Sequence, residues 1–275
     1  MEPRIQHAKT EEGAATVRGA PAEPVMIYES NGVPIHYRVF GEGEPIILVH
    51  GFASSLNGNW VTTGWIDTLR PVRKVVALDC RGHGQSGKPH DPKSYGGHEM
   101  EDDVVGLMNH LDIQKADLFG HSMGAAISLR AVVRHRQRFR SLVLGGIGNV
   151  LARRMGGRPG VPQALLAKDP STITNPVAKG FRVFAERNKN DLEALAAYQQ
   201  AQRAPVDKAA LAGISIPVLV VIGEGDTLVG SPKELVAAIP GAELAVISGR
   251  DHLTVVPDAR FKEAVVTFLT DSLAD

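Results

Sequence analysis

The chain has 275 residues, 43% of them hydrophobic, enough for one sizeable α/β domain with an inserted subdomain and too apolar for a chain unfolded by composition. Lys+Arg 30 offsets Asp+Glu 30, a formal net charge of +0, so neither nucleic acid nor an anionic membrane is an expected partner. The single cysteine, Cys80, excludes an internal disulfide framework and fits a reducing compartment; its place after a strand reads as core filler rather than nucleophile.

Residues 1–24, rich in Glu, Ala, Gly and Pro and without apolar periodicity, are expected to form a flexible lead-in. Their mixed charges lack the apolar core of a secretory signal, and no run approaches the roughly 20 apolar residues of a membrane span. A soluble, cytoplasmic protein is the expectation. Residues 25–30 and 34–40 read as a hairpin through Asn31-Gly32, residues that tolerate positive φ. The run Pro-Ile-Ile-Leu-Val-His over 45–50 is continuously apolar, as a strand covered on both faces should be.

Trp60 and Trp65 lie in a loop entering a helix over 57–69, where core packing is preferred to a place at a pocket edge. A strand over 74–79 leads into Arg81-Gly-His-Gly-Gln-Ser86-Gly87, a glycine-rich turn that Asp79 and Arg81 are expected to brace. Residues 98–111 have helical spacing, with Met100, Val104, Leu107, Met108 and Leu111 on one face and Glu101, Asp102 and Asp103 outward or capping the first turn. That acidic cluster could bind a metal, but the reading taken is a solvated helix end. A strand over 115–121 then feeds a turn, a helix over 123–135 and a strand over 139–145.

From about 149 to 212 the strand–helix alternation stops, and prolines punctuate an Ala-rich, polar stretch. Val177, Phe181 and Phe184 share one helical face, and Asn190 with Glu193 reads as the start of a second helix. Strands over 217–222 and 243–247 follow, and Pro257 opens a last helix carrying Phe261, Val265, Phe268 and Leu269 on one side.

The chemistry is concentrated at Gly120-His121-Ser122-Met123-Gly124, a Gly-x-Ser-x-Gly turn between an apolar strand and a helix. A serine there sits on a sharp, strained turn at a helix start, where free N–H groups and the positive dipole end favour developing negative charge. His50-Gly51-Phe52 lies upstream; Gly223-Glu-Gly-Asp226 and Gly249-Arg-Asp-His252 lie downstream, each after a strand-like run.

With these motifs the chain resembles the α/β-hydrolase superfamily from about residue 25 to its end, most closely in pattern a serine-nucleophile, esterase- or lipase-like member. The resemblance implies a mostly parallel sheet of about eight strands flanked by helices, with a small helical cap inserted after strand six. The core would be 25–148 with 213–275, and the cap 149–212. It implies Ser122 as nucleophile, Asp226 as acid with Glu224 as a minor alternative, and His252 as base. Backbone N–H groups of Phe52 and Met123 would form the oxyanion hole, and His50 would hold its loop rather than move protons.

The implied reaction is hydrolysis of a small or medium carboxylic ester through an acyl-enzyme, with no metal or organic cofactor required. Lactone hydrolysis, carbon–carbon bond hydrolysis of dienoic acids and perhydrolysis use the same triad, and a ligand-sensing module could retain it. The serine at the elbow argues against dehalogenase and epoxide-hydrolase chemistry. Near the cap hinge, Arg153 or Arg154 could steer an anionic substrate group.

Overall fold

The computed structural model describes residues 25–148, 157–203 and 205–271; the expectations for residues 1–24 and for Arg153 and Arg154 lie outside these. The strands are β1 (Met26–Ser30), β2 (Val33–Phe40), β3 (Pro45–Val49), β4 (Lys74–Leu78), β5 (Ala116–His121), β6 (Phe139–Gly145), β7 (Val218–Gly223) and β8 (Glu243–Ile247). They form one eight-stranded sheet in the order β1-β2-β4-β3-β5-β6-β7-β8. The pairs β1/β2 and β2/β4 are antiparallel and the others parallel. The opening hairpin turns through Asn31 (φ 49°) and Gly32 (φ 76°), the positive-φ pair its sequence predicts.

In β3, Ile47 and Val49 enter the core on one face while Ile46 and Leu48 enter the core on the other. That two-sided burial explains the continuous apolar run, because alternate side chains of a strand point to opposite faces. The first face is covered by α2 (Glu99–His110) and α3 (Met123–His135), the second by α1 (Trp65–Leu69) and α9 (Ala259–Asp271). Trp60 and Trp65 are fully buried with Phe119 and Phe261, and the Trp65 indole donates to Val256 O at 2.8 Å.

Between β6 and β7 the chain forms α4 (Val161–Leu166), α5 (Pro176–Arg187), α6 (Leu192–Gln200) and α7 (Lys208–Ala212); α8 (Lys233–Ala238) lies between β7 and β8. Helix α5 starts at Asn175, whose side chain accepts from Ala178 N–H, with Pro176 in the first turn. Arg182 of α5 reaches back to the carbonyls of Ala164, Leu165 and Ala167, tying α5 to the end of α4.

Two expectations are corrected. Glu101 and Asp103 do not face solvent. They are 2% and 1% exposed, Asp103 in a two-bond pair with Arg81 (2.6 and 2.7 Å) and Glu101 against Arg130. Only Asp102 stays at the surface, where it meets Arg134. The α6 start is Asp191, which accepts from Glu193 and Ala194 N–H; Asn190 points elsewhere, as described below. Among the described residues, no group of three or more His, Cys, Asp or Glu could hold a metal ion, and no helix is long and apolar enough to cross a membrane.

Candidate active site

The parallel strands deliver their C-terminal ends to one rim of the sheet, and the order β4-β3-β5 makes the switch point where α/β sheets open a crevice. Ser122 follows β5 directly. Its φ of 55° and ψ of −109° lie in a region that residues with a Cβ avoid, so the surrounding contacts must impose it. They do. Ser122 N–H donates to Gly145 O at 2.8 Å, pulling the turn toward β6. A Cβ on Gly124 would come within 1.9 Å of Val49 O, and one on Gly120 within 2.2 Å of Gly124 O. Strand and helix approach closer than side chains allow, and the serine is left at the apex of the turn.

His252 comes from the loop after β8 and Asp226 from the loop after β7. His252 Nε2 lies 2.9 Å from Ser122 Oγ, and its Nδ1 lies 2.6 Å from Asp226 Oδ2. Asp226 has a fully buried side chain, and its other oxygen accepts from Leu228 N–H at 3.0 Å and Val229 N–H at 3.4 Å. A carboxylate at Oδ2 accepts only, so Nδ1 carries the proton and Nε2 is free to accept one from the serine. Glu224 instead accepts from Gly249 N–H at 3.1 Å. Asp251, next to His252, turns away to accept from Thr254 and Leu253, which hold its carboxyl below the usual range.

Beside Ser122, the turn after β3 carries Phe52, and helix α3 begins at Met123. Neither the Phe52 nor the Met123 N–H has a hydrogen-bond partner among the described residues. His50 is fully buried with both nitrogens engaged: Nε2 accepts from Cys80 N–H at 2.9 Å and Nδ1 donates to Gly51 O at 2.8 Å. Burial pulls its pKa down against the pull of Asp79, so it braces the turn as a neutral ring.

Asp79 accepts from Leu56 and Gln85 N–H and from His36. Burial alone would raise its pKa, but His36, His50 and those amides hold it below the ordinary value. Cys80 is buried and its thiol is pushed well up by burial and by Asp103 and Asp79, the opposite of a nucleophile's setting. Ser86 Oγ donates to Asp79 O and accepts from His36 N–H, which engages it in bracing the turn.

A cavity of about 440 Å³ opens over Ser122 and His252. Its wall includes Val177, Gly180, Phe181 and Phe184 of α5, together with Leu228, Leu253 and Val256. The face predicted for α5 is therefore the cavity wall, where the i, i+4, i+7 spacing of Val177, Phe181 and Phe184 aligns them. Two buried polar lining residues escaped the sequence reading. Asn59 (5% exposed) accepts from Gly51 N–H at 3.0 Å through its Oδ1. His121 (4% exposed) lies beside His252, ring centroids 5.3 Å apart; burial, then the neighbouring His252, hold its pKa well below 6.5. The only sequence signal was their nearness to the two turns.

The comparisons with known proteins agree with this fold. A family profile described as alpha/beta hydrolase fold matches residues 44–156. The chain is 31% identical over 285 residues to a dihydrolipoyllysine-residue acetyltransferase component of an acetoin cleaving system from Pseudomonas putida, covering 97% of this chain and 74% of that protein. It is 29% identical over 264 residues to 2-hydroxymuconate semialdehyde hydrolase from Pseudomonas sp. (strain CF600), covering 88% and 92% respectively. Among solved structures it resembles esterase RhEst1 from Rhodococcus sp. ECU1013, with a TM-score of 0.72, 27% identity, and coverage of 89% of this chain and 97% of that one.

Proposed function

The chain belongs to the alpha/beta hydrolase fold family, and from that premise we propose that it is a serine carboxylesterase cleaving small or medium carboxylic esters. The observation that carries this reading is the continuous hydrogen-bond line Ser122 Oγ to His252 Nε2, and His252 Nδ1 to Asp226 Oδ2. Ser122 Oγ attacks the ester carbonyl as its proton passes to His252 Nε2, and Asp226 stabilises the imidazolium. The oxyanion is received by Phe52 and Met123 N–H. His252 then gives its proton to the departing alcohol, and a water activated by the same nitrogen cleaves the acyl-enzyme.

The inserted helices act as a cap, with α5 offering an apolar wall to the acyl or alcohol chain. The compartment proposed is the cytoplasm, consistent with one buried cysteine. Lactone or carbon–carbon bond hydrolysis is the second reading, the likeness to 2-hydroxymuconate semialdehyde hydrolase supporting its carbon–carbon arm. Hydrolysis of p-nitrophenyl esters of increasing acyl length tests the first. Multiple turnover in wild type and its loss in Ser122→Ala are expected; turnover confined to lactones or to dienoic acids would replace the ester reading with the second. Ligand capture without turnover would make the protein a sensor.

A further inference from the structure

The turn that carries Phe52 N–H is held from two sides, and one of them is the inserted helices. Residues Gly51 to Ser54 close on themselves through Ser54 N–H donating to Gly51 O at 3.2 Å. Ala53 occupies the third position with φ 56°, a left-handed conformation usually left to glycine. Such a turn needs outside bonds to persist. The core supplies His50 to Gly51 O and Asn59 to Gly51 N–H. The inserted helices supply two carboxamides: Asn188 Nδ2 and Asn190 Nδ2 donate to Ala53 O at 3.1 and 2.8 Å.

Asn190 is bonded to the end of α5. Lys189 (φ 53°) reverses the chain, Lys189 N–H donates to Glu186 O and Asn190 N–H to Ala185 O, both at 3.0 Å, closing the helix end in a Schellman-type turn. The same helix turns Val177, Phe181 and Phe184 to the cavity. The Phe181 ring meets the Phe52 ring at 5.6 Å, and Tyr198 of α6 stacks on it at 5.3 Å. The helix that lines the cavity is therefore also the helix that holds the turn.

We propose that Asn190, supported by Asn188, is a positioning residue: it holds the Ala53 carbonyl so that the tight turn keeps the Phe52 N–H, two peptide units upstream, aimed at the oxyanion, and it ties that aim to the seating of α5. The inference rests on the acyl-enzyme reading above. It explains why an asparagine suited to starting α6 is not used there.

The test compares wild type with Asn188→Ala/Asn190→Ala on p-nitrophenyl acetate, with rates expressed per Ser122 titrated by a fluorophosphonate, and adds the affinity for a trifluoromethyl ketone whose adduct bears an oxyanion. Losing an oxyanion donor outright costs roughly 10²–10³ in kcat, so a misaimed donor should cost roughly tenfold, with KM within about twofold. Ketone affinity should fall by about the same factor. Asn190→Gln, which retains the donor, should recover part of the loss, and Asn190→Asp, which sets a carboxylate against the carbonyl, should lose more than Asn190→Ala. A merely structural role would lower the titratable fraction and the melting temperature but leave kcat per titrated site and ketone affinity within twofold of wild type, which would overturn the inference alone. A wild type inert toward both ester and ketone would overturn the acyl-enzyme reading and this inference with it.

Discussion

The loops leaving β3, β5, β7 and β8 and the helices inserted between β6 and β7 face the same cavity, yet different forces fix them. At the sheet rim the backbone does the positioning. Ser122 is pinned by its N–H bond to Gly145 O and by the close approach at Gly120 and Gly124; His252 is fixed by a buried carboxylate itself held by two amides. In the inserted helices, side chains do it: Arg182 on three carbonyls, Asn188 and Asn190 on Ala53, Phe181 and Tyr198 on Phe52. Backbone constraints permit few residue types, whereas side-chain constraints admit many. The rim is therefore suited to one chemistry, and the inserted wall to variation in what that chemistry acts on.

The largest expected effect falls at the rim. Asp226→Asn keeps the shape of the side chain but can present an N–H to His252 and favour the wrong tautomer; kcat on esters should fall roughly 10³–10⁴-fold while the melting temperature changes little. Steady-state kinetics check this, and a loss under tenfold would mean that the rim does not depend on that carboxylate.

A second, smaller effect concerns the turn beneath Phe52. His83 is fully buried and packs edge-on against His50 and Phe52. Burial, then the neighbouring His50, lower its pKa from 6.5 to about 3. Because the folded value lies below the unfolded one, the unfolded chain takes up a proton that the folded chain refuses. Stability is therefore complete above about pH 6.5 and falls as pH drops toward 3. Urea midpoints between pH 7.5 and 5 should decline in wild type, and His83→Asn, which keeps a donor for Arg81 O, should flatten the decline by about one proton. An unchanged slope would contradict the assignment.

The smallest effect belongs to the inserted wall. Gly180 lies inside α5, and a Cβ there would meet nothing within 4 Å. Gly180→Ala should stabilise the protein by about 0.5–1 kcal/mol, seen as a higher melting temperature, and should narrow the cavity against the longest acyl chains. Destabilisation instead would mean that the helix is more tightly seated than its open neighbour space indicates.

What the sequence made legible follows the same division. The eight strands, the hairpin at Asn31-Gly32 and the meeting of Ser122, Asp226 and His252 were readable because turns, two-sided burial and the strained Gly-x-Ser-x-Gly turn each demand particular residues. Glu101 and Asp103 were misread because a charged first turn looks solvated unless its partners are known, and those partners, Arg130 and Arg81, lie 29 and 22 residues away. Asn190 was misread for a related reason: it precedes a helix, where asparagine often caps, but Asp191 takes that position. The short helices α4, α7 and α8 span too few turns for periodicity to stand out.

The central claim is that Ser122 is an activated nucleophile, and covalent labelling tests it most directly. Treatment with a fluorophosphonate followed by peptide mass mapping should place a single adduct on Ser122, absent in Ser122→Ala and greatly slowed in His252→Gln. An unlabelled Ser122, or labelling at the same rate without His252, would contradict the account.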